Sequence, residues 1–158
     1  MKVDKMNENW RVLTLGEVAE IYGGGTPSTA IEEYFNGDIP WITPKDLSNY
    51  PYRYIKKGNR NLSQLGLETS NAKIVPKGSV LLTTRAPVGY LAIAANPVST
   101  NQGMHSLVPK EGFSGEFLYY LLKAHVDFLQ NNASGTTFGE LSGNRLKEMT
   151  FRFPCFQI

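Results

Sequence analysis

Apolar residues recur at helical spacing in three parts of the chain. Thr14 followed by Glu17 fits a capping box, and the apolar positions after it predict a short helix over 15–22. A longer helix is predicted from Ser114 to Asn131, with Ser114 as its N-cap. Ser142 is placed to cap a third helix that runs through Leu146. The apolar stripe of the long helix consists of Phe117, Leu118, Leu121, Leu122, Ala124, Val126, Phe128 and Leu129, and it leaves Tyr119, Lys123 and Asp127 more exposed.

Short apolar runs bounded by turn-forming residues predict the strands. Val80 to Thr84 and Tyr90 to Ala94 flank a turn, and we expect them to pair as a hairpin-like unit. Pro40 favours an edge position for its own strand, because proline cannot donate a ladder hydrogen bond. The remaining predicted strands cover 39–42, 104–108 and 150–153.

The order of these elements indicates the fold class. Residues 44–67 are polar and basic and are interpreted mainly as loop, and strands and helices do not alternate as in a doubly wound parallel sheet. We therefore predict a mixed α/β fold, in which a twisted and mostly antiparallel β-sheet carries a few flanking helices. The length of 158 residues and a hydrophobic content of 41% suit a single domain with one core.

The composition excludes several classes of protein. The single cysteine, Cys155, excludes an internal disulfide framework. With only His105 and His125 beside it, a closed structural metal site lacks its usual ligands, so both histidines are interpreted as structural. The most apolar stretch, Val88 to Ala95, is too short to span a bilayer, and no signal peptide is visible. We therefore expect a reduced, cytoplasmic protein without a membrane partner.

Positive charge is concentrated in the middle of the chain. The formal net charge is +2, yet the segment Lys45 to Arg85 holds eight basic residues and two acids, and the rest of the chain is net acidic. Tyrosines alternate with the cations between Tyr50 and Lys57. Cations with interleaved aromatic and hydroxyl groups suit a phosphate backbone. The alternative from charge alone is a solvated surface loop.

Motifs for nucleotide or methyl-transfer chemistry are missing. The sequence has no Gly-x-x-x-x-Gly-Lys-Ser/Thr loop and no Asn-Pro-Pro-Tyr type motif, and Gly23-Gly24-Gly25 is interpreted as a flexible turn. Pro44-Lys45-Asp46 is similar to an acidic-lysine nuclease motif, but no partner carboxylates are placed beside it. We therefore predict a protein that is not an enzyme and that holds no cofactor and no metal.

Several motifs occur in a characteristic order along the chain. They are the opening segment Trp10–Val18, the glycine-containing segments Gly24–Ser28 and Gly37–Leu47, the central segments Gly78–Gly89 and Thr100–Gly103, and the late segments Phe117–Leu122 and Ser134–Phe138. In this order and spacing, from about Trp10 to Pro154, the chain resembles the target recognition domain of type I restriction-modification specificity subunits, also called HsdS.

The resemblance implies a DNA-binding domain over 10–154, with an N-terminal tail at 1–9 and a truncated C-terminal tail at 155–158. Such a domain reads half of a split sequence in double-stranded DNA, while partner methyltransferase and restriction subunits carry out catalysis. We expect the family's connecting helix to be absent after Pro154. We therefore expect a monomer or a weak homodimer, not a stable complex with those subunits. The alternative is a protein-interaction remnant that does not bind DNA by itself. The residues expected to form a contact patch are Phe151, Phe153, Phe156 and Ile158.

The candidate DNA contacts centre on the basic segment. Arg85 directly follows a buried strand and is expected near the DNA, with a structural ion pair as the alternative. Within Thr100–Gly103, Asn101 is predicted to form a turn, with a possible second role for this segment in reading adenine. The full candidate set is Thr43, Lys45, Arg53, Tyr54, Lys56, Lys57, Arg60, Lys73, Arg85, Gln102, Thr136 and Thr137.

Overall fold

The structure of the protein is a computed structural model, which describes residues 9–133 and 139–155. Its α-helices are α1 (Leu15–Val18), α2 (Pro44–Leu47), α3 (Gln64–Glu68), α4 (Gly115–Ala124), α5 (Val126–Ala133) and α6 (Gly143–Glu148), and a 3-10 helix covers Glu32–Phe35. Its strands are β1 (Trp10–Thr14), β2 (Ala19–Gly23), β3 (Ile39–Ile42), β4 (Tyr54–Ile55), β5 (Arg60–Leu62), β6 (Val80–Thr83), β7 (Leu91–Ala94), β8 (Ser99–Thr100), β9 (Met104–Pro109) and β10 (Thr150–Pro154).

A five-stranded sheet in the order β2-β9-β6-β7-β4 forms the centre of the fold. The predicted hairpin is confirmed, because β6 and β7 pair antiparallel with Val80 opposite Ile93. Only the β4–β7 pair of this sheet is parallel. The predicted mixed α/β fold with mostly antiparallel pairing is thus confirmed, although the described strands divide into three sheets rather than one.

Both faces of the central sheet are covered. Along β6, Val80 and Leu82 belong to one hydrophobic cluster and Leu81 to another, as the two-residue period of a strand requires. The first cluster packs the sheet against α4, α5 and α6, and the second packs it against residues of β3 and α2. Strand β6 is therefore buried along its whole length and fixes the position of the loop that follows it.

The predicted edge position of the strand with Pro40 is wrong. Strand β3 lies in the middle of a three-stranded sheet, between antiparallel β5 and parallel β8. On the β8 side the pairing begins at Trp41, one residue after Pro40, so the missing N–H of proline falls before the ladder begins.

Two of the predicted helices differ from the structure. The segment predicted as a helix over 15–22 is helical only in α1 and then becomes β2, where Ala19 and Ile21 are buried and pair with β9. The long predicted helix is capped by the Ser114 side chain as expected, but it breaks between α4 and α5 at His125. The ring Nδ1 of His125 contacts the Leu121 carbonyl oxygen at 2.7 Å, while its backbone N–H donates to Leu122 instead.

The interpretation of 44–67 as loop is also wrong. This stretch contains α2, β4, β5 and α3, all of them short. Ser63 caps α3 by accepting a hydrogen bond from the Gly66 N–H at 3.0 Å, and Pro44 occupies the first turn of α2. Elements of two to five residues carry too few apolar positions to show a period in the sequence.

One of the three side chains predicted to be exposed on the long helix is buried. Lys123 and Asp127 are exposed as expected, but Tyr119 is buried, which corrects its predicted exposure. Helix α6 begins after Ser142, whose hydroxyl accepts the Arg145 N–H at 3.1 Å, and this confirms the predicted cap. No helix in the described ranges is long and apolar enough to cross a bilayer.

Candidate nucleic-acid interface

The basic segment does not form one continuous patch. Arg85 follows β6, whereas Lys77 precedes that strand and therefore lies at the opposite end of the sheet. Lys56 is on the Lys77 side, because β4 runs parallel to β7 and the Ala95 N–H donates to the Ile55 carbonyl oxygen at 2.8 Å. The structure thus separates Lys56 and Lys77 from Arg85.

The turn between β8 and β9, residues 101–103, gathers several candidate residues at the Arg85 end. The Arg85 N–H donates to the Gly103 carbonyl oxygen at 3.4 Å, and the ring of Pro44, next to Lys45, lies against Gly103. The Thr26 hydroxyl donates to Oε1 of Gln102 from the loop after β2. Lys45, Arg85 and Gln102 therefore share one neighbourhood.

Gln102 and Thr26 line a cleft of about 580 Å³. Its other lining residues are Gly24, Gly25, Glu68, Thr69, Ser70 and Asn71. Glycine is required at positions 24 and 25 because the backbone approaches other chain segments closely. A Cβ on Gly24 would lie 2.0 Å from the Asn101 carbonyl oxygen. Apart from the Glu68 carboxylate, the side chains that line this cleft are neutral hydrogen-bonding groups, which suit a polar ligand surface.

Arg85 is exposed and pairs with Glu140. Its Nε lies 3.3 Å from Oε1 of Glu140, and 48% of its side chain is accessible to solvent. The two interpretations of Arg85, structural ion pair and DNA contact, are thus compatible, because an exposed pair contributes only about 0–1 kcal/mol and is easily exchanged. Leu141 anchors the acidic partner by donating its N–H to the Thr84 carbonyl oxygen at 2.8 Å.

Asn101 forms the predicted turn. Its Oδ1 accepts a hydrogen bond from the Gly103 N–H at 2.9 Å, and its own N–H donates to the Ile42 carbonyl oxygen at 3.1 Å. The side chain therefore holds the 101–103 turn in place, while the neighbouring Gln102 stays exposed.

Lys56 and Lys57 are on an exposed loop that is pinned on both sides. The Lys56 carbonyl oxygen accepts a hydrogen bond from Nδ2 of Asn96 at 2.9 Å. Beyond the lysines, the Asn59 N–H donates to Oδ1 of Asp46 at 3.0 Å. Both lysine side chains are exposed, and neither forms an ion pair with a carboxylate in the part of the chain that the structure describes.

Arg53 and Tyr54 are engaged by helix α4. Nη1 of Arg53 donates to the Tyr120 hydroxyl at 2.6 Å, and its guanidinium lies 5.1 Å from the Tyr54 ring centroid. The hydrogen bond to Tyr120 raises the pKa of Arg53. The Tyr54 hydroxyl donates to Oε1 of Glu116, and this hydrogen bond raises the pKa of Tyr54. Both side chains thus hold β4 against the helix, which limits their freedom to contact another molecule.

Arg60 and Lys73 cover aromatic rings. The Arg60 guanidinium lies 3.7 Å from the centroid of Phe35, and Nζ of Lys73 lies 5.5 Å from that of Tyr22. Both residues remain exposed, so each combines a cation–π contact with access to solvent. The donor groups of Thr43 are instead engaged within the chain, because its N–H and its hydroxyl both donate to Oδ2 of Asp46 at the start of α2. Thr136 and Thr137 lie outside the described residues.

His105 serves the fold beneath this surface. Its Nδ1 lies 2.7 Å from the Thr84 hydroxyl oxygen, and burial lowers the pKa of His105. This agrees with the structural role predicted for it. Among residues 9–133 and 139–155, no three histidine, cysteine or carboxylate side chains are grouped to hold a metal ion.

Sequence reasoning missed Tyr120, Glu116 and Glu140, which contact three of the candidate residues. Tyr120 and Glu116 are separated from Arg53 and Tyr54 by more than sixty positions, so no local pattern connects them. The contact between Thr26 and Gln102 spans a similar distance. Only the order of motifs along the chain carried a signal for these pairs.

The sequence of residues 7–158 matches the family described as type I restriction modification DNA specificity domain. The chain belongs to this family. A type I restriction enzyme MjaIX specificity subunit from Methanocaldococcus jannaschii is 47% identical over 154 residues, which are 96% of this chain and 36% of that protein. A type I restriction enzyme HindI specificity subunit from Haemophilus influenzae is 32% identical over 130 residues, 81% of this chain and 28% of that protein. This specificity domain thus spans about a third of the length of these relatives.

Solved structures share the fold of this specificity domain. An HsdS subunit from Thermoanaerobacter tengcongensis superposes with a TM-score of 0.70 at 22% identity, over 92% of this chain and 33% of that one. The S subunit of a type I restriction-modification system from M. genitalium superposes with a TM-score of 0.64 at 18% identity, over 93% of this chain and 35% of that one. The predicted membership of the specificity-subunit family is confirmed.

Proposed function

We propose that residues 10–154 form a module that recognises half of a split sequence in double-stranded DNA. The module itself is not an enzyme. It directs methylation and restriction, which are carried out by partner methyltransferase and restriction subunits. Membership of a DNA specificity family supports this role. In this proposal the phosphate backbone is bound by exposed cations, and base edges are read by polar side chains near the 101–103 turn.

The observation that carries the proposal is the set of exposed lysines in the basic segment. They lie on loops or in a short helix and, among the described residues, none forms an ion pair with a carboxylate. Unpaired cations on a protein surface repel each other and are stabilised by an anionic partner. These residues are Lys45, Lys56, Lys57, Lys73 and Lys77.

A salt titration of duplex binding tests the proposal. If four to six phosphates are neutralised, a plot of log K against log salt should have a slope of roughly −4 to −5. Replacing Lys56 and Lys57 together by alanine should lower the affinity for all sequences alike and reduce the slope by about two. Lys123→Ala, on an exposed position of α4 outside the basic segment, is the matched control and should leave the slope unchanged.

Absence of salt-dependent duplex binding would favour a protein-interaction module without DNA binding of its own. A slope that is flat in the unsubstituted chain, with duplexes of any sequence, would contradict the proposed function. Equal effects of the Lys56/Lys57 and Lys123 substitutions would contradict the assignment of phosphate binding to the basic segment.

The proposal extends to assembly and location. We propose that the chain by itself is a monomer or at most a weak homodimer, and that it works in the cytoplasm. Two of the four residues predicted as a self-association patch, Phe151 and Phe153, are buried in the core, so they do not support a dimer. Phe156 and Ile158 lie outside the described residues.

A further inference from the structure

Asp46 is one of only two acids in the basic segment, and both oxygens of its carboxylate accept hydrogen bonds within the chain. Oδ2 accepts hydrogen bonds from the Thr43 N–H at 2.9 Å and from the Thr43 hydroxyl at 3.1 Å. Oδ1 accepts the Asn59 N–H at 3.0 Å. One side chain thus links the start of α2 to the loop that carries Lys56 and Lys57.

The loop lies directly against this carboxylate. A Cβ built on Gly58 would be 2.2 Å from Oδ2 of Asp46 and 2.8 Å from the Trp41 carbonyl oxygen. No larger residue fits at position 58 unless the loop moves away from Asp46. The absence of a side chain therefore permits the contact that fixes the loop.

The residues next to these contacts are Lys45, beside Asp46, and Lys57, beside Gly58. Both are exposed, and among the described residues neither lysine forms an ion pair with Asp46 or with another carboxylate. The Asp46 carboxylate accepts hydrogen bonds from main-chain N–H groups and a hydroxyl group, although two lysines are close by in the sequence. Its contacts therefore fix geometry and leave the neighbouring lysines available.

We propose that Asp46 is a positioning residue for DNA binding, which holds α2 and the 56–59 loop together so that Lys45 and Lys57 present a single phosphate-binding surface. The inference rests on the proposed function. It also gives the Pro44-Lys45-Asp46 motif a role other than nuclease chemistry, because the carboxylate oxygens already accept three hydrogen bonds.

Charge and geometry predict opposite effects when Asp46 is replaced. Removing an acid from a basic surface makes that surface more positive, which by itself strengthens binding to an anionic duplex. Loss of the loop anchor instead requires the lysines to be ordered on binding, which costs conformational entropy. A positioning role therefore predicts weaker binding despite the more favourable charge.

The experiment measures binding of the whole chain to a short mixed-sequence DNA duplex over a range of salt concentrations. Asp46→Ala should weaken binding about threefold to tenfold and reduce the salt slope by about one to two, since fewer phosphates are contacted. Asp46→Asn, which keeps a carbonyl oxygen for the Asn59 N–H, should fall between the unsubstituted chain and Asp46→Ala. Asp127→Asn is the matched control, because it also removes one acid, but from an exposed position on α5 outside the basic segment. It should bind as tightly as the unsubstituted chain or slightly tighter.

Thermal unfolding of each variant separates positioning from folding. All affinities are measured at a temperature at which every variant is folded, and a purely structural role would lower the melting temperature without changing the salt slope. Affinity and slope of Asp46→Ala equal to those of Asp127→Asn would overturn the inference while leaving the proposed function intact. If Asp46→Ala does not fold, Asp46→Asn decides, and binding as tight as that of Asp127→Asn overturns the inference. No salt-dependent binding by the unsubstituted chain would overturn the proposed function and this inference together.

Discussion

The cationic side chains of this specificity domain differ in the contacts that they make within the chain. Arg53 and Arg60 contact aromatic rings, Arg85 contacts a carboxylate, and Lys56 and Lys57 have neither kind of contact in the described structure. Charge density along the sequence predicted the group as a whole. It did not distinguish its members, because their partners come from distant segments such as α4 and the residues around Glu140.

Arg85 and Glu140 allow the role of a single ion pair to be measured. Arg85→Ala should weaken duplex binding by about 1–3 kcal/mol if the guanidinium reads a base, or reduce the salt slope by about one if it binds a phosphate. Glu140→Gln should strengthen binding, because Arg85 no longer has to leave a carboxylate. The melting temperature should change little in both variants, as is usual for an exposed pair. Unaltered affinity in both variants, or unfolding of Arg85→Ala, would assign the pair to the fold alone.

His105 makes stability depend on pH. Because burial lowers the pKa of His105 below its ordinary value of 6.5, the unfolded chain takes up a proton that the folded chain resists. Its contribution to stability is therefore complete above about pH 6.5 and is lost as the pH falls through the folded pKa. His105→Gln should remove this part of the decline, which is measured as the difference in melting temperature between the two proteins from pH 7 to pH 5. Parallel curves would show that His105 does not titrate differently on folding.

At the level of the elements, local capping signals were reliable and periodicity was not. Ser114 and Ser142 cap helices as predicted, because a cap needs only a few neighbouring residues. Helix α1 and strand β2 were predicted as one helix, since Leu15, Val18 and Ile21 fit a helical stripe equally well. Pairing with β9, which is remote in sequence, decides for the strand.

The loop after β2 and the 101–103 turn depend on close backbone packing at Gly24. In Gly24→Ala the new Cβ would lie 2.0 Å from the Asn101 carbonyl oxygen and 2.5 Å from that of Thr100, so the two segments must separate. We expect a loss of stability of about 1–3 kcal/mol, measured by denaturant unfolding. Gly23→Ala is the matched control, because its Cβ would meet only the His105 ring at 3.7 Å. Equal stability of the two variants would show that the contact is not needed.

At the level of the whole molecule, the class of fold could be predicted but its division into sheets could not. The pairing of β6 with β7 joins neighbouring runs, whereas β1–β10 and β3–β8 join strands that are distant in the sequence. Motif order identified the family because it reflects the entire chain, including those distant pairs. The individual contacts of the candidate interface depend on that three-dimensional arrangement and were therefore not predicted.

Self-association can be tested on the same chain. Because Phe151 and Phe153 are in the core, their side chains offer little surface for a second copy. We expect sedimentation velocity at micromolar concentration to show mainly a species of 17.6 kDa. A stable species of twice this mass, persisting on dilution, would contradict the proposed monomeric or weakly dimeric state.

The pairing of β1 with β10 has a consequence for the order of folding. Trp10 lies opposite Pro154, so this ladder closes a loop that contains nearly all of the described chain. Loop closure of this length is entropically costly, whereas the β6–β7 hairpin closes over a few residues and can form early. During synthesis, β1 leaves the ribosome long before β10 exists. The backbone N–H and C=O groups of β1 that pair with β10 must therefore be hydrogen-bonded to water, or covered by a chaperone, until the rest of the domain has been made.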